Sequence, residues 1–102
     1  MLMKTAELTG AALDWAVAKC EGVINGDDLD IGFIRERGYT PSTDWAQGGL
    51  IIEREKLSVE WIDSERWLCG WHSGKTPLIA AMRCYVASKL GDYVDVPEEL
   101  AC

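Results

Sequence analysis

Two places in this chain hold side chains whose types and spacing could do chemistry. The first is the stretch of residues 40–49, which offers the Asp44 carboxylate, the hydroxyls of Thr40, Ser42 and Thr43, the Gln47 amide, the Trp45 indole, and Gly48-Gly49. Polar loops of this kind, held on a rigid scaffold, often bind ligands. The plainer and commoner use of the same residues is structural. Thr43 or Asp44 would cap a short helix, Trp45 would plug the core, and the glycines would serve a turn. The second place is Arg83, at the edge of an apolar helical stripe. A half-buried arginine needs an anionic partner, and Asp44, Glu60 and Glu7 are the candidates. Either Arg83 forms a structural ion pair, or it faces a pocket and receives a phosphate or carboxylate on its planar fork. Thr43, Asp44, Trp45, Gln47 and Arg83 are therefore the candidate ligand- or partner-binding residues.

Other chemistries find no support. There is no G-x-S-x-G elbow, no Walker loop and no H-E-x-x-H. His72 could act as a base, but no nucleophile is placed beside it by sequence. Gly74-Lys75-Thr76 matches only the end of a phosphate loop, because Cys69 stands where the upstream glycine belongs. Cys20, Cys69, Cys84 and Cys102 form no C-x-x-C pair, and with one histidine they make poor zinc ligands. Asp27, Asp28 and Asp30 lack the glycine and the distant acid of a calcium loop. No catalytic residue, metal or cofactor is expected.

A chain of 102 residues suggests one globular domain spanning 1–102, able to bury one modest core. Composition is 48% hydrophobic and 26% charged, which argues against disorder. The net charge of −7 disfavours nucleic acid and anionic membrane as partners, since both select basic surfaces. No apolar run approaches the roughly 18 residues of a membrane span, and MLMKTAEL has no signal-peptide pattern. Reduced thiols in a cytoplasmic setting are expected.

These residues must be positioned by a few elements. Residues 76–91, TPLIAAMRCYVASKLG, form the clearest helix. Thr76 suits the N-cap, Pro77 the first helical position and Gly91 the left-handed stop. Ile79, Met82, Val86 and Leu90 make one stripe, widened by Leu78 and Tyr85, and the remaining surface is mostly small. A helix apolar nearly all round is buried on several sides, so this one is expected at the centre of the core. A second helix runs from about residue 10 to 21, between Thr9 and Gly22, with Leu13, Ala16, Val17 and Cys20 on its stripe. Trp15 falls off that stripe and is expected at the core edge or along a groove.

Residues 3–8 read as a short strand, as do Leu29, Ile31 and Phe33 after the Asn25-Gly26 turn. Residues 35–38 read as a solvated turn. Gly48-Gly49 frees the backbone for an unusual path, after which Leu50, Ile51 and Ile52 re-enter the core, and residues 53–56 form an exposed turn or short helix. Residues 57–71 read as a hairpin. Placing Trp61 opposite Trp67, Val59 opposite Cys69 and Leu57 opposite Trp71 makes one face wholly apolar. The loop is then three residues long without the glycine such loops favour. Three tryptophans on this face are expected to make core against the central helix. The alternative is an open aromatic groove. Residues 93–96 are expected to be extended, with Asp95 capping a last turn at 97–99. The fold class is α+β: two main helices packed with a Trp-rich antiparallel hairpin or small sheet and one ordered polar loop.

Three blocks of the chain carry a likeness. PSTDWAQGG (41–49) followed by IIERE (51–55), TPLIAAMRCYVASKLGD (76–92) and ELTGAALDWAVAKCEG (7–22) resemble the NinX-like family of small tailed-bacteriophage proteins, known as a domain of unknown function. The family pattern tends to place proline where this chain has Leu50. The resemblance covers nearly the whole chain. It implies a phage or prophage origin and action in the cytoplasm of a host bacterial cell, and it transfers no catalytic residue.

The expectation is a non-enzymatic phage accessory protein that binds a host protein, such as a defence or metabolic component, through an acidic surface and exposed aromatics. The alternative is a small-ligand binder that sequesters a nucleotide-like molecule, with Trp45 stacking and Arg83 reading phosphate. Convergence of Asp44, Trp45 and Arg83 on one open cleft favours the ligand, and a closed, satisfied cluster favours the host protein. A homodimer is compatible with this much aromatic surface on a short chain.

Overall fold

A computed structural model of the chain describes residues 1–24, 34 and 36–100. The Asn25-Gly26 turn, the alternation of Leu29, Ile31 and Phe33, the Asp27, Asp28 and Asp30 cluster, Arg35 and Cys102 lie outside the described residues. The elements in order are β1 (Leu2–Lys4), a 3-10 turn (Thr5–Glu7), α1 (Gly10–Glu21), α2 (Trp45–Glu55), β2 (Val59–Asp63), β3 (Arg66–Cys69), β4 (His72–Gly74), α3 (Pro77–Leu90), β5 (Tyr93–Asp95) and a final 3-10 turn (Glu98–Leu100). The fold is mixed α+β, with three described helices and two small antiparallel sheets.

The central helix forms as its end signals dictate. The Thr76 hydroxyl accepts the Ile79 N–H at 3.1 Å and Pro77 opens the first turn, while Gly91 ends the helix at φ 87° and ψ −164°, a positive φ but not the expected left-handed helical stop. Leu78, Ala80, Ala81, Met82, Tyr85 and Val86 of α3 are buried. Most of these residues share one broad face and Ala80 lies on the opposite one, and α3 touches α1, α2, β2, β3, β4, β5 and the first 3-10 turn. The alanines let neighbours approach the α3 backbone closely.

Helix α1 is buried from Ala12 through Ala18 without a break. Trp15 is 1% exposed, so it belongs to the core and not to its edge or a groove. The reason is coverage from more than one side, which a single-stripe reading does not allow for. Gly22 ends α1 in the left-handed conformation, as expected, with its N–H donating to the carbonyls of Ala18 and Lys19.

The first strand is shorter than residues 3–8. The chain leaves β1 at Thr5, whose N–H donates to Asp92 O at 2.8 Å and whose hydroxyl donates to Gly91 O at 2.6 Å. Those bonds tie the start of the chain to the end of α3 and turn it into the 3-10 segment. β1 pairs with β5, Met3 lying opposite Val94. The Asp95 carboxylate accepts from the Met1 ammonium at 2.8 Å instead of capping the following turn.

In the second sheet, of order β2-β3-β4, Trp61 stands opposite Trp67 and Val59 opposite Cys69, as the face argument requires. The pairing of Leu57 with Trp71 does not form. β3 ends at Cys69, and Gly70, at φ 60°, turns the chain with Trp71 into β4, so that Cys69 faces His72. The loop between β2 and β3 is also tighter than three residues. Asp63 pairs with Arg66, and a bulge between Trp61 and Asp63 absorbs the extra residue.

The expected tryptophan core is corrected by the same geometry. Trp67 is half-buried, but Trp61 is 62% exposed and Trp71 is 99% exposed. A Cβ on Gly74 would lie 2.6 Å from the Ala80 backbone nitrogen, so β4 rests directly on α3. β2 is the edge of the sheet farther from β4, and Trp61 on it is left largely in solvent. Trp71 sits in the turn, beyond any strand face.

Candidate functional site

The stretch of residues 40–49 is not one loop. Residues 41–43 form a turn, and a helix, α2, begins at Trp45. Asp44 is its N-cap, its carboxylate accepting the Ala46 N–H at 2.9 Å. Gln47, in the first turn, closes the loop back on itself. Its side-chain oxygen accepts the Thr40 N–H at 2.8 Å, and its NH2 donates to Gly38 O and to the other Asp44 oxygen, each at 3.0 Å. Asp44 and Gln47 are thus brought together, and their hydrogen-bonding groups are engaged with the turn they stabilise. Thr43 is exposed beside them, and Trp45 is 57% exposed.

Gly48 and Gly49 do not take an unusual path, because both are helical. Gly48 is needed for space: a Cβ there would lie 2.2 Å from Pro41 O and 2.7 Å from Leu78 Cδ2. That close approach seats α2 on α3. Of the residues expected to re-enter the core, Ile51 does and Ile52 partly does, but Leu50 is 66% exposed. It lies on the outer side of α2.

Arg83 lies elsewhere. Its Nε donates to Leu8 O and its Nη1 to Ser73 O, both at 2.8 Å. Among the described residues no carboxylate stands within 4.0 Å of its guanidinium nitrogens, so the pairing with Asp44, Glu60 or Glu7 is replaced by backbone carbonyls. Burial pushes its pKa below the usual arginine value. Arg83 lines a cleft of about 550 Å³ with residues from the β2–β3 turn, β4 and the start of α3, and none of residues 43–47 lines that cleft. The five candidate residues therefore divide into a closed Asp44–Gln47 cap, flanked by Thr43 and Trp45, and a separate arginine cleft.

Two polar clusters escaped sequence reasoning. Asp14, only 3% exposed, accepts the Ser42 N–H at 2.9 Å and ties α1 to the turn before α2. Burial raises its carboxyl pKa, and the bond from Ser42 opposes the shift. The signal available was one acid inside the otherwise apolar run 12–18. The second cluster joins the three described helices. Arg54 grips Glu21 with two bonds, Nη1 to Oε1 at 2.9 Å and Nη2 to Oε2 at 2.6 Å, and Tyr85 OH donates to the same carboxylate. The Arg54 bond holds the Glu21 pKa below its ordinary value, and burial raises that of Tyr85. This cluster is a structural clamp in form, since its donors and acceptors face one another.

Cys20, Cys69 and Cys84 are free thiols. Burial pushes Cys20 up to about 11 and Cys69, with Cys84 beside it, up to about 12. Such thiols stay protonated at neutral pH and make weak nucleophiles. Among the described residues no group of three or more His, Cys, Asp or Glu could hold a metal ion, and no helix is long and apolar enough to cross a membrane.

The family model described as Bacteriophage P22, NinX matches residues 4–89. The chain belongs to the bacteriophage P22 NinX family. The match takes in α1, α2, the β2-β3-β4 sheet and nearly all of α3, which are the elements that carry both the Asp44 cap and the Arg83 cleft. No curated protein matches the chain. NinX family membership supports a phage accessory protein, and it brings no assigned site with it.

Proposed function

We propose that this phage accessory protein acts without catalysis, by binding a host protein through exposed aromatic side chains. The observation that carries the reading is Trp71, 99% exposed at the tip of the turn between β3 and β4. Gly70 takes a left-handed conformation there, which presents the indole outward from a turn fixed on both sides by paired strands. A tryptophan buries roughly 150–250 Å² when covered. At about 25 cal/mol per Å² covering that area releases ~5 kcal/mol of gross transfer free energy, enough for an interface hot spot after the cost of association is met. Trp45 and Leu50 on α2 add exposed apolar area. The geometry around Trp45 favours this reading over a nucleotide stacked on its indole, because the neighbouring Asp44 and Gln47 groups are engaged with backbone and with each other and Arg83 lines a separate cleft. Affinity capture from host lysate, comparing the native chain with Trp71→Ser, tests it.

A further inference from the structure

We propose that the cleft between the β2–β3 turn and the start of α3 binds the phosphoryl group of a small molecule, with Arg83 and Lys75 as its cationic contacts. This site is separate from the Trp71 surface and stands without it.

The argument starts from Arg83. A guanidinium carries five N–H donors. Two are fixed on Leu8 O and Ser73 O, and both anchors are backbone, so the fork is held in one orientation by the fold itself. The other three donors have no partner among the described residues. Carbonyl dipoles stabilise a cation but do not neutralise it, and a half-buried charge with no counter-ion is costly. A planar fork with unused donors, facing a cleft, is the form that receives oxyanions.

The surroundings fit an anion. Lys75 lines the same cleft, is exposed, and makes no bond to a described residue. Arg66 lines it too, but its Nη2 lies 3.4 Å from Asp63 Oδ2, so those two charges largely cancel. Glu65 is the remaining acid at the rim. Lys75 and Arg83 against Glu65 leave a local positive excess on a chain whose net charge is −7. A cleft with low-dielectric walls focuses such an excess. Thr9 and Ser73 line the cleft as well. The volume of about 550 Å³ falls within the roughly 300–1,000 Å³ of small-ligand sites. A phosphoryl group suits this set better than a carboxylate, because its three oxygens can meet a fork and an ammonium together.

The test is a titration of the native chain with inorganic pyrophosphate and, in parallel, with a nucleoside diphosphate, followed by 15N NMR at constant ionic strength with sodium chloride as control. The expected result is saturable shifts at the Ser73, Gly74 and Lys75 amides and at the Arg83 Nε–H, absent with chloride. Lys75→Glu should weaken binding about tenfold or more, as loss of one charge-assisted bond does. Its melting temperature should be unchanged, because Lys75 makes no structural bond. Arg83→Lys, which keeps the charge but loses the fork, should weaken it also. Tighter binding of the nucleoside diphosphate identifies a nucleotide-like ligand, and equal binding identifies the phosphoryl group alone. No saturable shift, shifts reproduced by chloride, or binding indifferent to Lys75→Glu each overturns the proposal.

Discussion

The Asp14 carboxylate, deep in α1, accepts the backbone N–H of Ser42 at 2.9 Å and so fixes the turn that launches α2. Both partners are buried. Removing the acceptor would leave the Ser42 N–H without a partner, which costs about 1–3 kcal/mol. Asp14→Ala should therefore lower stability by at least that amount. Asp14→Asn keeps an acceptor oxygen and removes a charge that burial disfavours, so it should be close to neutral. The folded pKa of Asp14 is raised, so its ionisation begins to cost stability as pH rises through the ordinary value of 3.8, and the cost is complete above the folded pKa. Asp14→Asn should gain on the native chain as pH rises. Urea unfolding of both variants between pH 4 and 8 reads this out, and equal losses for the two variants would contradict it.

Gly48 and Gly49 look alike in sequence but should respond in opposite directions. Gly48→Ala puts a Cβ 2.2 Å from Pro41 O, a backbone atom that cannot move aside cheaply. It should lose at least about 2 kcal/mol. At Gly49 the same Cβ meets only Trp45 Cε3, at 3.6 Å. Gly49→Ala should gain up to about 1 kcal/mol from helix propensity. Thermal melts of the two single variants settle the pair.

The Glu21–Arg54–Tyr85 clamp gives an acid-dependent term. The folded pKa of Glu21 is depressed, chiefly by the Arg54 bonds. Its contribution is present above the ordinary carboxyl value of 4.5 and is lost as pH falls through the folded pKa. Arg54 is half exposed, so the contribution is screened and amounts to about 1 kcal/mol. Glu21→Gln should melt below the native chain at pH 6–7, and the gap should close as pH falls below 4.5 and through the depressed folded pKa. A gap that widens in acid would contradict this.

What could be read from the sequence was what is encoded locally. Thr76, Pro77 and Gly91 announce α3 because capping depends on neighbours a few residues away. The pairing of Trp61 with Trp67 follows from alternation along one strand. β4 was missed because His72–Gly74 carries no strand signature. It is a strand because Gly74 can lie on the Ala80 backbone, which only tertiary structure reveals. Helix α2 was hidden by two glycines that weaken helix propensity, one of them required by packing against Pro41 and Leu78. Arg83 was recognised as half-buried, yet its partners are backbone carbonyls, which leave no trace in residue types. The exposure of Trp71 depends on the chain turning at Gly70 instead of extending the hairpin by two more residues.

The proposed host binding turns most on Trp71 as its docking side chain. The direct measurement is affinity capture from a host bacterial lysate with the native chain and Trp71→Ser side by side, each first checked by thermal melt. The substitution should change stability by no more than about 0.5 kcal/mol, since the side chain is already in solvent. The predicted result is a host protein retained in stoichiometric amount by the native chain and lost with Trp71→Ser. Retention of the same proteins by both chains, or of none by either, would contradict it.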